Sequence, residues 1–166
     1  MTTTDAIDLE EAWVLEPEAF DALLAALRVR GWTPLGPTER DGAVVLEEID
    51  GLADLPRGRR DVQAPGRYRL ASRGDAALFG FNLGPQSFKA QVFPSRLRLF
   101  AARREGSGFV VEADDEAAPR HAFVGARPCE LAAFAVQDRV LVGGAHADPY
   151  YAAVREQAFV VAVQCG

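Results

Sequence analysis

The 166-residue sequence predicts an α/β fold, in which a β-rich N-terminal portion with a leading helix, residues 1–118, packs beside a small parallel β-α-β-α-β unit, residues 119–166. Three observations predict it. Between residues 32 and 113, short apolar runs alternate with Gly, Pro and Asp punctuation, the texture of hairpin strands. From residue 121 the rhythm becomes apolar run and helical stretch in alternation, ending on a third apolar run, which is the pattern of parallel strands with helical crossovers. The polar break "DDEAAPR", 114–120, separates the two textures, either as a domain boundary or as a change inside one compact domain.

Taken in order, the first ten residues are polar and are expected to fray. In "PEAFDALLAALRVR", 17–30, Phe20, Leu23, Leu24, Leu27 and Val29 fall near helical spacing, with Pro17 at the start and Gly31 past the end. "GWTPLGPTERDGAVVLEEID" predicts strand, turn and strand, with "RDG" as the turn. Residues 51–66, rich in Gly, Pro, Arg and Asp, predict an ordered loop. "RYRLAS", "AALFGFNL" and "SRLRLFAARR" are strand-like, and "REGSG" is a turn leading into "FVVEA". In the last third, "HAFVGA" is the first strand of the parallel unit, followed by a helix begun by Pro128 and running to about residue 137. "RVLVGG" is the second strand. "DPYYAAVREQ" is a helix with Asp148 as N-cap and Pro149 at its first position, and "AFVVAV" is the third strand.

Composition narrows the function classes. Hydrophobic residues at 49% and charged residues at 25% fit a soluble globular chain. No apolar run approaches the ~18 residues of a membrane span, and the acidic N-terminus lacks a secretory signal pattern, so the cytoplasm is the expected compartment. A net charge of −6 without a basic face argues against nucleic acid as a partner.

The two cysteines, Cys129 and Cys165, occupy the same kind of place, each just past an apolar strand. In a parallel unit both fall beyond carboxyl ends, and with strand order 2-1-3 the first and third strands are neighbours, about 4.8 Å apart. The two sulfurs then share the crevice where open α/β sheets bind ligands. Cys129 also falls in the first turn of its helix, where the helix dipole and the neighbouring Arg127 favour a thiolate. Several readings stay open at this point. Free cysteines are commonly small buried apolar residues. A nucleophile needs a base, and the two histidines are poorly placed, His121 at the start of a strand and His146 in a loop. A metal or iron–sulfur site needs about four ligands, of which the crevice offers two.

All but one of the 18 basic residues are arginine, and the exception is Lys89 in "GPQSFK". Ser87 and Lys89, at i, i+2 spacing, are expected on one side of an exposed or crevice-facing segment, where a compact ammonium faces a partner, a cluster or a carboxylate.

At "FVGARPCELAAFAVQDRVLVGG" and "DPYYAAVREQAFVVAVQC" the sequence resembles the iron–sulfur subunits of anaerobic sulfite reductase and of nickel–iron sulfhydrogenase, in the latter the beta chain. "DLPRGRRDVQAPGRYRL" and "ALFGFNLGPQSFKAQVFPSR" extend the resemblance from about residue 20 to 166. Glu130 stands where relatives usually carry aspartate. The resemblance implies an electron-transfer role, with this chain corresponding to the N-terminal portion of such a protein. Its implied partners are a catalytic oxidoreductase subunit, and a flavin-containing one that exchanges electrons with it. The resemblance also implies Cys129 and Cys165 as ligands of a 4Fe-4S cluster, with further ligands from a downstream segment. On physical grounds the cationic Arg127 and Lys89 are expected to support the charge of the thiolates and the cluster, while Ser87 and Lys89 carry over from the family as a Gly-Pro-x-Ser-x-Lys motif, a weaker cofactor-binding expectation without an assigned role. The alternative from the residues alone is an α/β module that binds a nucleotide, a flavin or a partner loop, with the cysteines merely buried. Against a dinucleotide, "FVGARPC" offers one glycine where a pyrophosphate turn needs several.

Overall fold

The computed structural model describes residues 14–84, 86–113 and 117–164. The frayed start predicted for residues 1–10, part of the boundary segment 114–120, and Cys165 lie outside them. Helices and a mixed sheet build an α/β fold. Its sheet has four strands in the order β2-β1-β7-β8, with β1 at Thr33–Arg40, β2 at Ala43–Glu48, β7 at His121–Ala126 and β8 at Phe159–Ala162. Two strands thus come from before the predicted boundary and two from after it.

Helix α1, Phe20–Val29, follows a short 3₁₀ turn, Pro17–Ala19, and closes at Gly31 with φ of +84°, a left-handed conformation that glycine adopts without a Cβ penalty. It buries Phe20, Leu24 and Leu27 against one face of the sheet, beside Ile49, Leu55, Ala122 and Val124. Full burial of a side chain such as Leu24 is worth roughly 1.5–3 kcal/mol. The turn between β1 and β2 is Asp41-Gly42, both at positive φ (52° and 76°), which matches the twist of a two-residue hairpin.

The other face of the sheet carries α3, Pro128–Leu141, and α4, Pro149–Gln157. Leu35, Leu46, Phe123, Ala126, Phe134, Tyr151 and Val154 form its core, with Phe88 and Val92 from the segment around the short helix α2, Lys89–Val92. Asp148 caps α4 as predicted, accepting the Tyr151 amide at 2.9 Å.

The β-α-β-α-β prediction is corrected at its middle strand. Residues 139–141 of "RVLVGG" are the last turn of α3, and residues 142–144 leave that helix. Asp138 explains the extra turn. Its carboxylate accepts the Tyr151 hydroxyl at 2.6 Å and both Nε and Nη2 of Arg155 at 3.0 Å, so α4 holds α3 helical at this point. The chain then folds straight into α4, with the Asp148 amide on the Leu141 carbonyl at 2.7 Å. The predicted neighbour relation of the outer two strands is found: β7 and β8 are adjacent and parallel, Phe123 opposite Val160 and Val124 opposite Val161.

Two hairpins stand apart from this sheet. β3 (Arg59–Ala64) pairs with β4 (Arg67–Ser72), and β5 (Phe100–Glu105) with β6 (Gly108–Ala113). The loop predicted over 51–66 therefore becomes a 3₁₀ turn, Leu52–Asp54, and then a strand. The Asp54 carboxylate stops the chain from extending earlier by accepting the amides of Asp50 and Gly51. "AALFGFNL" forms no strand, and "SRLRLFAARR" becomes one only from Phe100. Among the described residues no helix is long and apolar enough to cross a membrane.

Candidate functional site

In "HAFVGARPCE" one irregularity determines the site. Gly125 sits at φ +85° and is the extra residue of a β-bulge, since Val124 faces Val161 while Ala126 faces Ala162. Without the bulge, residues 122, 124 and 126 would share one face. With it, Ala122 and Val124 pack towards α1, whereas Ala126 packs with Phe123 towards α3 and α4. The next residue, Arg127, is thereby turned to the face where Leu78 and Phe79 lie.

There the Arg127 guanidinium holds the loop ahead of "GPQSFK". Nη2 donates to the Phe79 carbonyl at 3.1 Å and Nη1 to Asn82 Oδ1 at 2.9 Å, and the charge sits 5.7 Å from the centre of the Phe81 ring. The β3–β4 hairpin holds the same loop from its other side. Asp61 Oδ1 accepts the Asn82 amide at 2.7 Å, and the Tyr68 hydroxyl donates to the Asn82 carbonyl at 3.0 Å. Burial works to raise the Asp61 carboxyl, but hydrogen bonds from Asn82 and Gln63 outweigh it and hold the group below the usual carboxylate range. Both acceptors of Arg127 are neutral, so its charge remains available to the electrostatics of the α3 N-terminus.

Pro128 opens α3 at its first position, Cys129 follows, and Glu130 closes a reciprocal cap. The Arg127 amide donates to Glu130 Oε2 at 3.0 Å, while the Arg127 carbonyl accepts the amides of Glu130 and Leu131. The Glu130 side chain is long enough to reach back over this turn. Burial raises its carboxyl above the ordinary value, against the opposing pull of the Arg127 amide and charge and the Phe88 amide.

Cys129 is a free thiol and exposed, so the arrangement of a small buried apolar residue is not the one found for it. It stands one helical turn past the carboxyl end of β7. On the neighbouring strand the Val163 amide bonds to the Ala126 carbonyl at 2.8 Å, which keeps β8 alongside β7 to within two residues of Cys165. Cys165 itself lies outside the described residues.

Ser87 and Lys89 are both exposed with Phe88 buried between them, the one-sided arrangement expected of the pair. With Phe88 they line a small cavity whose other wall is α3, at Glu130, Ala133, Phe134 and Gln137. The Lys89 ammonium is not drawn to a carboxylate among the described residues. It lies 5.8 Å from the centre of the Phe93 ring. His121 starts β7 at the opposite end of the sheet, as expected, and burial lowers its imidazole below the usual value while Glu48 opposes this. His146 is exposed in the α3–α4 loop.

Phe79, Asn82, Asp61, Tyr68 and Gly125 belong to the site and were not singled out from the sequence. One signal was present: a lone glycine inside a strand marks a bulge or a close approach. The others are joined only by the fold. Among the described residues no group of three or more His, Cys, Asp or Glu side chains is placed to hold a metal. Comparison with family models, with curated proteins and with solved structures finds no match for this chain.

Proposed function

We propose that this chain is the N-terminal portion of an electron-transfer iron–sulfur subunit in a hydrogenase-like or sulfite-reductase-like oxidoreductase complex. One observation carries the reading. Cys129 is exposed on the first turn of α3, at the end of the sheet where β8 runs parallel beside β7 towards Cys165. The donor chemistry suits iron: Cys129 is a free, exposed thiol, and Arg127 two residues before it spends its hydrogen bonds on neutral groups. Cys129 and Cys165 would hold a 4Fe-4S cluster, with the remaining ligands supplied from elsewhere in the protein or its complex. When bound, such a cluster carries single electrons, here between the flavin-containing and the catalytic oxidoreductase subunits. The chain's own contribution is to fix the Cys129 turn. Glu130 caps it, and Arg127 ties it to the Phe79–Asn82 loop.

The alternative, a module for a nucleotide or flavin phosphate, meets an obstacle in Glu130. Its carboxylate already takes up the N-terminal turn of α3, where a phosphate would be repelled.

The test is anaerobic expression of the complete reading frame, with assay of iron and acid-labile sulfide and with EPR after reduction. We expect cluster signals in the wild type, and Cys129→Ser to lose one four-iron cluster's worth of iron while keeping the fold. A wild-type protein without iron, or a Cys129→Ser variant with undiminished iron, overturns the reading.

A further inference from the structure

The two faces of the β3–β4 hairpin do different things. Alternation along the strands puts Arg59, Asp61 and Tyr68 on one face, which meets the rest of the chain: Arg59 donates to Glu39, and Asp61 and Tyr68 hold Asn82. The opposite face carries Arg60 and Val62 from β3 with Arg67, Arg69 and Ala71 from β4. Its three arginines are exposed. Arg67 and Arg69 are neighbours along one strand, roughly 7 Å apart. Arg60 pairs with Ala71 and so lies diagonal to Arg69, roughly 7–8 Å away. None of the three side chains forms a hydrogen bond or ion pair with a described residue. Elsewhere this chain of net charge −6 gives its arginines carboxylates, as at Arg40, Arg73, Arg103 and Arg155. Three like charges on one side of a two-stranded hairpin repel one another and work against its pairing. They come from "RRD" and "RYR", which only the hairpin register brings to one face, so the expectation of a chain without a basic face is corrected here.

Guanidinium forks match carboxylates, which they bind two bonds at a time. Other anionic partners fit this face less well. It has no aromatic side chain for a base to stack on and no large apolar one to enter a bilayer. The chain's overall charge also repels a continuous polyanion. An acidic patch on a folded protein meets the three arginines while the rest of this acidic chain stays clear of it, and such local complementarity fixes orientation.

We propose that the outer face of the β3–β4 hairpin docks an acidic patch on a partner protein, whose Asp or Glu carboxylates pair with Arg60, Arg67 and Arg69. The face is tied to the Cys129 end of the sheet: Asp61 on the hairpin's inner side accepts the Asn82 amide, and Asn82 Oδ1 accepts Arg127. That the partner is a subunit exchanging electrons with this chain rests on the iron–sulfur reading. The docking itself does not, and the two are measured separately.

The experiment titrates the whole isotope-labelled chain at low salt with hexaglutamate, followed by NMR, with hexaglutamine as the uncharged control. Amides of β3 and β4 around the three arginines should shift with hexaglutamate alone. Replacing them together (Arg60→Gln, Arg67→Gln, Arg69→Gln) should weaken binding about tenfold, since each exposed pair is worth a factor of roughly 1.5–5. Arg40→Gln, which removes a guanidinium already paired with Glu47, should leave the affinity within about twofold. The urea midpoint of the triple variant should equal or exceed that of wild type, because like charges have been removed. Shifts centred elsewhere, an unchanged affinity in the triple variant, or a midpoint lowered by more than ~0.5 M overturns the proposal. So does tighter, arginine-dependent binding of a thymidine oligonucleotide of equal charge, arginine-dependent sedimentation with phosphatidylglycerol vesicles, or self-association that the triple variant loses. Docking retained by a complete reading frame that binds no iron supports the acidic surface and removes only the electron-transfer identity of its partner.

Discussion

Gly125→Ala tests whether the bulge at the end of β7 sets the site. At φ +85° an alanine pays the left-handed penalty of roughly 1–2 kcal/mol. Its Cβ would also lie 2.6 Å from Cε1 and 3.1 Å from Cδ1 of Phe79. Comfortable carbon contacts are about 3.5–4.0 Å, so the ring has to retreat by about an ångström. It is poorly free to do so, because Phe79 is itself left-handed at φ +57° and its carbonyl is held by Arg127. Overpacking of this kind costs roughly 1–3 kcal/mol. The sum, about 2–5 kcal/mol, is a large share of the ~5–15 kcal/mol that holds a domain folded.

The assay is urea unfolding of Gly125→Ala, of Phe79→Gly and of the double variant. With a slope near 2 kcal/mol per molar urea, the wild-type background should lose about 1–2.5 M in midpoint. Phe79→Gly removes the ring, so in that background only the backbone penalty should remain. The coupling between the two sites is expected at about 1–3 kcal/mol. A loss below about 0.3 M for Gly125→Ala, or equal losses in the two backgrounds, would refute the account of the bulge.

Two other perturbations probe the scaffold. Tyr151→Phe leaves a buried ring in place but removes its bond to Asp138. It should cost about 1.5–3 kcal/mol in urea unfolding, the range for a bond to a charged group, and a loss under ~0.5 kcal/mol would mean the Arg155 pair alone holds α3 to α4. Burial, helped by the same contact, pushes the Tyr151 hydroxyl up to about 12, so it stays a donor throughout ordinary pH. His121 gives a pH signature: its folded value lies below the 6.5 of the unfolded chain. Beneath pH 6.5 the unfolded chain therefore takes up a proton that the folded one refuses. Stability from this group is full above 6.5 and is lost as pH falls towards the folded value. His121→Gln should flatten that part of the stability–pH curve relative to wild type, and parallel curves for the two proteins would exclude the linkage.

How much of this was legible depended on where the determining contacts lie. The β1–β2 hairpin was legible because Asp41-Gly42 dictates its own turn, and α4 because Asp148 and Pro149 cap it locally. The adjacency of β7 and β8 followed from alternation of short apolar runs and helices. "RVLVGG" was misread because a four-residue apolar run carries no decisive period. Its conformation is set by Asp138 meeting Tyr151 and Arg155, two residues of the next helix. "AALFGFNL" has strand-like composition, yet Arg127 and Asp61, 48 and 21 residues away from their respective contacts, bend it into a loop. Cys129 and Arg127 were legible as a motif, while the loop that Arg127 grips was not.

That grip gives the site its directional logic. The bulge turns Arg127 towards Phe79 and Asn82, and those acceptors are neutral, so anchoring the loop does not neutralise the cation. A carboxylate partner would have anchored it as firmly, at the cost of its field. Glu130 is the carboxylate within the same turn, and burial raises its carboxyl above the ordinary value, which works against its charged form. The turn that carries Cys129 is therefore held by hydrogen bonds, from Glu130 to the Arg127 amide and from the Arg127 guanidinium to the loop. On the proposed iron–sulfur reading, Arg127 would do two things at once, tying the Cys129 turn to the Phe79–Asn82 loop and leaving its own charge unspent on a carboxylate.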